Sequence, residues 1–341
     1  MTWLITGGAG YIGSHVAKAM TDAGESVVVL DDLSTGRKER LPDDVPLEIG
    51  SVLDGELTGR VIERHSVTGI VHIAGKKQVA ESVARPLHYY RENVEGLRTL
   101  LEAAVRADVA RFVFSSSAAV YGMPDTDLVT ERTPCLPLSP YGETKLAGER
   151  LVAAAGVAHS MATVSLRYFN VAGAVSPELG DDGVLNLVPM VFERLEAGES
   201  PRIFGADYPT ADGTCVRDYV HVEDIASAHL AAVRRLTEDT TTSLVLNIGC
   251  GEGVSVAEMI AIIQDITGRA DLVPRVVERR PGDPARVVAS AGRIREELGW
   301  TARHDVREMV ASAWEGWRFR HLRESPGGRP TGRARGSRVI R

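Results

Sequence analysis

The stretch TWLITGGAGYIGSH, residues 2–15, constrains the fold more than any other segment. A short strand-like run, Thr2 to Thr6, meets Gly7, Gly10 and Gly13, spaced G-x-x-G-x-x-G, and a helical pattern begins at once. Glycine there lets the chain turn tightly, lets its backbone approach a pyrophosphate, and lets helix and strand pack closely. The helix terminus adds free N–H groups and the positive end of its dipole. The next apolar run, SVVVL (Ser26 to Leu30), leads into Asp31, 18 residues past Gly13. A carboxylate at that place accepts hydrogen bonds from ribose hydroxyls and repels a 2′-phosphate, which favours NAD over NADP. Glycine triplets also occur in ordinary turns. The strand before, the helix after and the acid beyond make this one specific.

The runs GIVHI (Gly69 to Ile73) and RFVFS (Arg111 to Ser115) read as strands buried on both faces. Between them, in RENVEGLRTLLEAAVRAD, Val94, Leu97, Leu100, Leu101, Ala104 and Val105 recur at helical spacing. Strand–helix–strand alternation predicts an α/β fold, a Rossmann-type doubly wound parallel sheet. ATVSLRYFN (Ala162 to Asn170) and LVLNIG (Leu244 to Gly249) supply later strands. Beyond Asn170 loops, prolines and glycines increase, with helices expected over Val184 to Ala197 and Ser255 to Gly268. The expected division is a dinucleotide-binding domain over 1–169, to which 216–253 returns. A smaller C-terminal α/β substrate-binding lobe takes 170–215 and 254–317, and a disordered basic tail takes 318–341.

Of the 341 residues, 44% are hydrophobic and 25% charged, the balance of a globular protein. The net charge of −7 averages two unlike parts: residues 318–341 hold eight Arg and one Glu, and the first 317 residues hold 31 basic against 45 acidic side chains. Such an acidic body argues against nucleic acid as a partner. The tail reads as solvated rather than as an RNA or membrane anchor. No apolar run approaches the ~18 residues of a membrane span, so no membrane partner is expected. No leader pattern opens the chain, and Cys135, Cys215 and Cys250 cannot make a disulfide framework, so a cytoplasmic location is expected. No His, Asp or Glu cluster has metal-ligand spacing, and His72 and His221 read as satisfied structural histidines.

SPYGETK places Tyr141 and Lys145 four residues apart on one helix face, with Ser139 as the cap and Pro140 in the first turn. An ammonium beside a phenol favours phenolate, so the Tyr141 pKa is expected to fall, making it a usable general base. FSSSAAVYG ends the preceding strand, and carboxyl ends of parallel strands face the ligand crevice, so Ser117 can share a substrate oxygen with Tyr141.

With these motifs the chain resembles the extended short-chain dehydrogenase/reductase family, and within it the UDP-glucose 4-epimerases. TGGAGYIGSH, LDDLSTG, HIAGKKQVAESV, YYRENVEG, FSSSAAVYG, SPYGETK, LRYFNVAGA, IFGADYPTADGTCVRDYVHV and RRPGDPA carry the resemblance, in that order, over most of residues 1–317. It implies NAD-dependent interconversion of UDP-glucose and UDP-galactose. Tyr141 takes the C4 hydroxyl proton, Lys145 tunes it, Ser117 shares the bond to that oxygen, and the 4-keto sugar turns its other face before hydride returns. It implies cofactor contacts from Gly7, Gly10, Tyr11, Ile12, Gly13, Asp31, Asp32, Thr35, Gly36, Ser51, Val52, Ile73, Ala74 and Gly75. Lys77, Asn93, Ser115, Tyr141, Lys145 and Tyr168 complete that set on the nicotinamide side. It implies that Asn170, Asn186 and Leu187 contact the diphosphate, that Phe204 lies near the uracil, and that Arg217, Arg280 and Asp283 hold phosphate and ribose. Two arginines suit a pyrophosphate in charge and fork geometry. It also implies a homodimer through paired helices near Arg91 to Arg106 and Gly142 to Ala155.

Two positions depart from the family pattern. Ser51 stands where relatives often have an aspartate that bonds adenine. Val287, four residues past Asp283, stands where some relatives carry a tyrosine against the sugar. The smaller side chain is expected to leave room near the C2 substituent and so to admit N-acetylated UDP-sugars. A nucleotide-sugar 4,6-dehydratase or decarboxylase is the nearest alternative, but such relatives carry acids where this chain has Ala118 and Ala119. A UDP-glucuronate epimerase would want a further cation for the carboxylate. A non-catalytic NAD-binding regulator would be expected to lose Tyr141 or Lys145, and both are present.

Overall fold

The computed structural model describes residues 1–324 apart from 182 and 281. Strands β1 (Thr2–Thr6), β2 (Ser26–Asp31), β3 (Leu47–Ile49), β4 (Val67–His72), β5 (Arg111–Ser117) and β6 (Ala162–Tyr168) build the first half. Among them run α1 (Tyr11–Asp22), α2 (Gly55–Arg64), α3 (Val79–Ala84), α4 (Pro86–Tyr89), α5 (Gly96–Arg106) and α6 (Pro140–His159). There follow β7 (Asn170–Ala172), α7 (Leu187–Glu196), β8 (Arg202–Phe204), β9 (Val216–His221), α8 (Val222–Glu238), β10 (Ser243–Ile248) and β11 (Gly253–Ser255). Then come α9 (Val256–Thr267), β12 (Arg275–Val277), β13 (Arg286–Val287), α10 (Gly292–Leu298) and α11 (Val306–Glu324).

Seven strands form one parallel sheet in the order β10-β6-β5-β4-β1-β2-β3. The order reverses beside β1, which opens a crevice at the carboxyl ends of β1 and β4. The two-residue period of the strands feeds two separate cores. Trp3, Ile5, Val27, Val29 and Val71 pack with Val16 of α1 and Ile225 and Val233 of α8. Leu4, Val28, Leu30, Ile70 and Phe112 pack on the opposite face with Val61 of α2 and Leu97 and Leu100 of α5. That double burial is why these strands read as continuous apolar runs. The Rossmann-type doubly wound sheet is the fold the sequence predicts.

A second sheet pairs β9 with β7, β11 and β13, and β8 pairs with β12. Its core joins Val188, Phe192 and Leu195 of α7 to Ile260 and Ile263 of α9 and to Met309, Val310 and Trp317 of α11. Helix α9 is bounded as its residues dictate, by a reciprocal Ser255–Glu258 capping box and by Gly268 at φ +69°.

Three expectations need correction. The helix expected near Arg91 to Arg106 opens with a six-residue π turn, Tyr90–Glu95, ahead of α5, where the spacing alone reads as regular helix. The turn points Asn93 inward, where its Oδ1 accepts the Lys76 N–H at 2.7 Å and its Nδ2 donates to the Lys76 carbonyl at 2.9 Å and to Thr144 Oγ1 at 3.0 Å. Second, segment 216–253 divides: β9 joins the second sheet, because Val216 to His221 find hydrogen-bonding partners there, and β10 alone extends the first. Third, residues 318–324, expected in the tail, continue α11. Trp317 is buried and the Trp314 ring lies 5.0 Å from that of Phe192, which anchors the preceding turn. The rest of the expected tail, 325–341, lies outside the described residues.

Candidate active site

A cavity of about 610 Å³ opens where β1, β2 and β4 end. Gly7 stands at φ +71°, and a β-carbon there would meet the Ala74 nitrogen at 2.7 Å; one at Gly13 would meet the Gly7 carbonyl at 2.1 Å. The floor of the cavity is therefore bare backbone at the start of α1, the cradle a pyrophosphate needs. Asp31, at the end of β2, accepts the Ala9 N–H through Oδ2 and the Leu33 N–H through Oδ1, both at 2.9 Å. Burial pushes its carboxyl pKa up, while those two bonds hold it down. The carboxylate thus stands fixed, and each oxygen keeps a lone pair for a ribose hydroxyl. These features fit a dinucleotide.

Gly7, Gly10, Tyr11, Ile12, Gly13, Asp31, Asp32, Thr35, Gly36, Ser51 and Val52 line this cavity. So do Ile73, Ala74, Gly75, Lys77, Tyr141, Lys145 and Tyr168. Ser115 and Asn93 stand behind it: Ser115 Oγ donates to His229 Nε2 at 3.1 Å, and Asn93 fixes the Gly75–Lys76 backbone.

Tyr141 lies in the first turn of α6, where Ser139 caps the Gly142 N–H at 3.2 Å. One turn on, Lys145 Nζ donates to the Ser115 carbonyl at 2.9 Å and sits 5.2 Å from the centre of the Phe114 ring. Burial lowers the Lys145 pKa to about 8, and Glu149 opposes that shift. The Tyr141 pKa is raised by burial, with Ser117 beside the phenol pulling the other way. The expected fall does not appear, because the ammonium is directed at a β5 carbonyl and desolvation dominates the phenol. Ser117 ends β5, and its Oγ accepts the Ala119 N–H at 3.2 Å.

A second cavity, of about 340 Å³, is lined by Asn170, Asn186, Leu187, Phe204, Arg217, Arg280 and Asp283. Arg217 Nη2 lies 3.5 Å from Asp283 Oδ1, and the Arg280 guanidinium stacks 3.7 Å from the centre of the Phe204 ring. Asp218 accepts the N–H groups of Cys250, Gly251 and Ala289, and its carbonyl accepts Asn170 Nδ2 at 3.0 Å. It therefore splices β7, β9 and the chain after β10 at the cavity wall. Leu185 lines both cavities and carries no motif that marks it in the sequence. Val287 lines neither and packs with Val120, Tyr121 and Phe169.

His72 bonds Thr6 Oγ1 through Nδ1 at 2.7 Å and stacks on Phe114. His221, Glu223 and His304 bring ligand-type atoms within 4.8 Å of one another. His221 Nδ1 accepts the Glu223 N–H at 3.0 Å, and Nε2 bonds Ser312 Oγ at 2.9 Å, whose own proton goes to the Met309 carbonyl. Both ring nitrogens are thereby satisfied within the protein, which leaves no lone pair for an ion.

A family model described as the NAD dependent epimerase/dehydratase family matches residues 3–249. A UDP-glucose 4-epimerase of Azospirillum brasilense is 45% identical over 97% of this chain and 96% of its own length. Another of Streptomyces lividans is 42% identical over 94% and 96%. A crystal structure of the UDP-glucose 4-epimerase from Stenotrophomonas maltophila, with bound NAD and formylated UDP-arabinopyranose, superposes with a TM-score of 0.90 at 37% identity, covering 95% of this chain and 99% of that one. With a bare-glycine dinucleotide cradle and a Tyr–Lys pair on the first turns of α6, this chain belongs to the NAD dependent epimerase/dehydratase family.

Proposed function

We propose that this enzyme interconverts UDP-glucose and UDP-galactose by oxidising the sugar at C4, letting the 4-keto sugar turn, and reducing it from the other face. One observation carries the reading: Tyr141 and Lys145 face the dinucleotide cavity, and Leu185 joins that cavity to a second one holding Arg217 and Arg280. Held by the glycine cradle and Asp31, NAD supplies the acceptor for the C4 hydride and the store from which it returns. Tyr141 takes the C4 hydroxyl proton in the first half and gives it back in the second, so no net proton is consumed. Lys145, whose ammonium is directed at the Ser115 carbonyl one turn from the phenol, is proposed to supply the positive charge for the phenolate in between, and Ser117 to share the bond to the C4 oxygen. Arg217 and Arg280 hold the diphosphate while the sugar stays loosely held, which the turn requires. The dehydratase alternative lacks its acid: Ala118 and Ala119 follow Ser117.

The chain is further assigned to the cytoplasm, and no helix among the described residues is long and apolar enough to cross a membrane. A homodimer is proposed through the α5 and α6 face; Val83 and Leu87, on the neighbouring α3 and α4, are 63% and 84% exposed and apolar. Sedimentation at micromolar concentration tests it, a monomer counting against it. The activity is tested by incubating the purified protein with UDP-galactose and no added NAD. UDP-glucose is the expected product, and a 4-keto-6-deoxy sugar would overturn the reading.

A further inference from the structure

Behind the Tyr141–Lys145 pair lies a buried polar chain that lines neither cavity. Its centre is the Glu149–Arg167 ion pair, with side chains 5% and 6% exposed. Arg167 grips the carboxylate as a fork, Nε to Oε1 at 2.8 Å and Nη2 to Oε2 at 2.6 Å. Two tethers leave this pair. Ser116 Oγ donates to Glu149 Oε1. Arg167 Nη1 donates to Tyr121 Oη at 2.8 Å, and that hydroxyl donates onward to Asn247 Oδ1 at 2.7 Å. Asn247 is in turn fixed, its Nδ2 donating to the Val129 carbonyl at 2.9 Å and its N–H to Glu131 Oε1 at 2.8 Å.

The tethered residues are not arbitrary ones. Ser116 immediately precedes Ser117, and Tyr121 closes the single 3₁₀ turn that follows it. The Ser117 Oγ accepts the Ala119 N–H within that same turn and lies beside the Tyr141 phenol. We propose that the Glu149–Arg167 pair is a positioning device for Ser117, clamping the chain on both sides of it to a rigid charged centre on α6 and β6. A buried ion pair costs desolvation that an apolar pair of equal volume avoids, so its use here points to placement rather than to stability. Because α6 also carries Tyr141, one centre sets Ser117 and Tyr141 in register with each other, with Lys145 one turn along the same helix.

This inference rests on the proposed role of Ser117, and the experiment separates the two. Ser116→Ala and Tyr121→Phe each delete one tether while keeping the ion pair and nearly all the packing. The combined S116A/Y121F enzyme is expected to keep its KM for UDP-galactose within twofold and to lose about tenfold or more in kcat, since sub-ångström misplacement acts on the reacting geometry. In a Ser117→Ala background the same two changes are expected to lower kcat no further, because they act through that serine. If Ser117→Ala alone leaves kcat unchanged, the assignment of Ser117 fails. If Ser117→Ala lowers kcat and S116A/Y121F does not, or if the two losses simply multiply, the positioning role is overturned.

Discussion

Tyr11 and Gly173 are separated by 162 positions, yet the phenol of one donates to the carbonyl of the other at 2.7 Å in a buried setting. A turn further along α1, His15 Nε2 accepts the Val175 N–H at 3.2 Å. The dinucleotide helix thus carries the segment that leads to Leu185 and Asn186, and the two cavities share a wall. Tyr11→Phe removes the donor and leaves the Gly173 carbonyl buried without it, an expected loss of about 1–3 kcal/mol. The urea midpoint measured with an unchanged m-value tests this.

Lys145 gives the activity an alkaline limb. Tyr141 and Glu149 share its helix; His72 approaches from β4, the Phe114 ring and Ser115 carbonyl from β5, and Tyr168 from β6. Its folded pKa is lowered to about 8, so the ammonium that favours the phenolate is lost as pH rises through that value. kcat is expected to fall above pH 8, and Lys145→Met to abolish turnover at every pH. The same shift acts oppositely on stability. Between about 8 and 10.5 the unfolded chain holds the proton that the folded one has shed, so this group adds stability as pH rises.

Arg217 faces the second cavity with its guanidinium shared with Asp283. Losing one charge-assisted grip on a diphosphate is expected to cost about 1.5–3 kcal/mol, or a rise in KM for UDP-galactose of roughly 10–100-fold in Arg217→Ala. kcat should change far less, since the grip is the same before and after hydride transfer. Steady-state kinetics on the holoenzyme separate the two constants.

Four buried histidines set the acid limit. Desolvation lowers His15 and His229 to about 4 and His72 and His221 to about 3. Their unfolded counterparts protonate near pH 6.5, so stability is present above that value and is lost as pH falls toward 4. Each contributes a slope approaching ~1.4 kcal/mol per pH unit in that window. Melting temperatures from pH 7 to pH 5 are expected to fall steeply, and His72→Asn should flatten the curve.

The sheet and the first cavity are legible because their signals are local, whereas the residues of the second cavity follow only from the family resemblance. Asp31 ends its strand, Gly7 turns the chain and Ser139 caps α6 through neighbours a few residues away. What escaped depends on distant partners. The inward turn of Asn93 is fixed by Lys76 and Thr144, the continuation of α11 by the Phe192 core, and the place of Leu185 by two cavities at once. Glu149 and Arg167 meet across 18 positions between a helix and a strand, and neither residue looks unusual where it stands. The Tyr141 pKa departs from the expectation for a related reason: spacing places the lysine on the right face, but burial raises the phenol and the Ser115 carbonyl takes the ammonium.

In the proposed cycle hydride leaves C4 and returns to C4 within one closed site. UDP-galactose deuterated at C4, incubated with the purified protein in ordinary water without added NAD, tests it directly. UDP-glucose that retains deuterium at C4 is expected. Deuterium lost from C4 to the solvent, with protium found in the product, would contradict it.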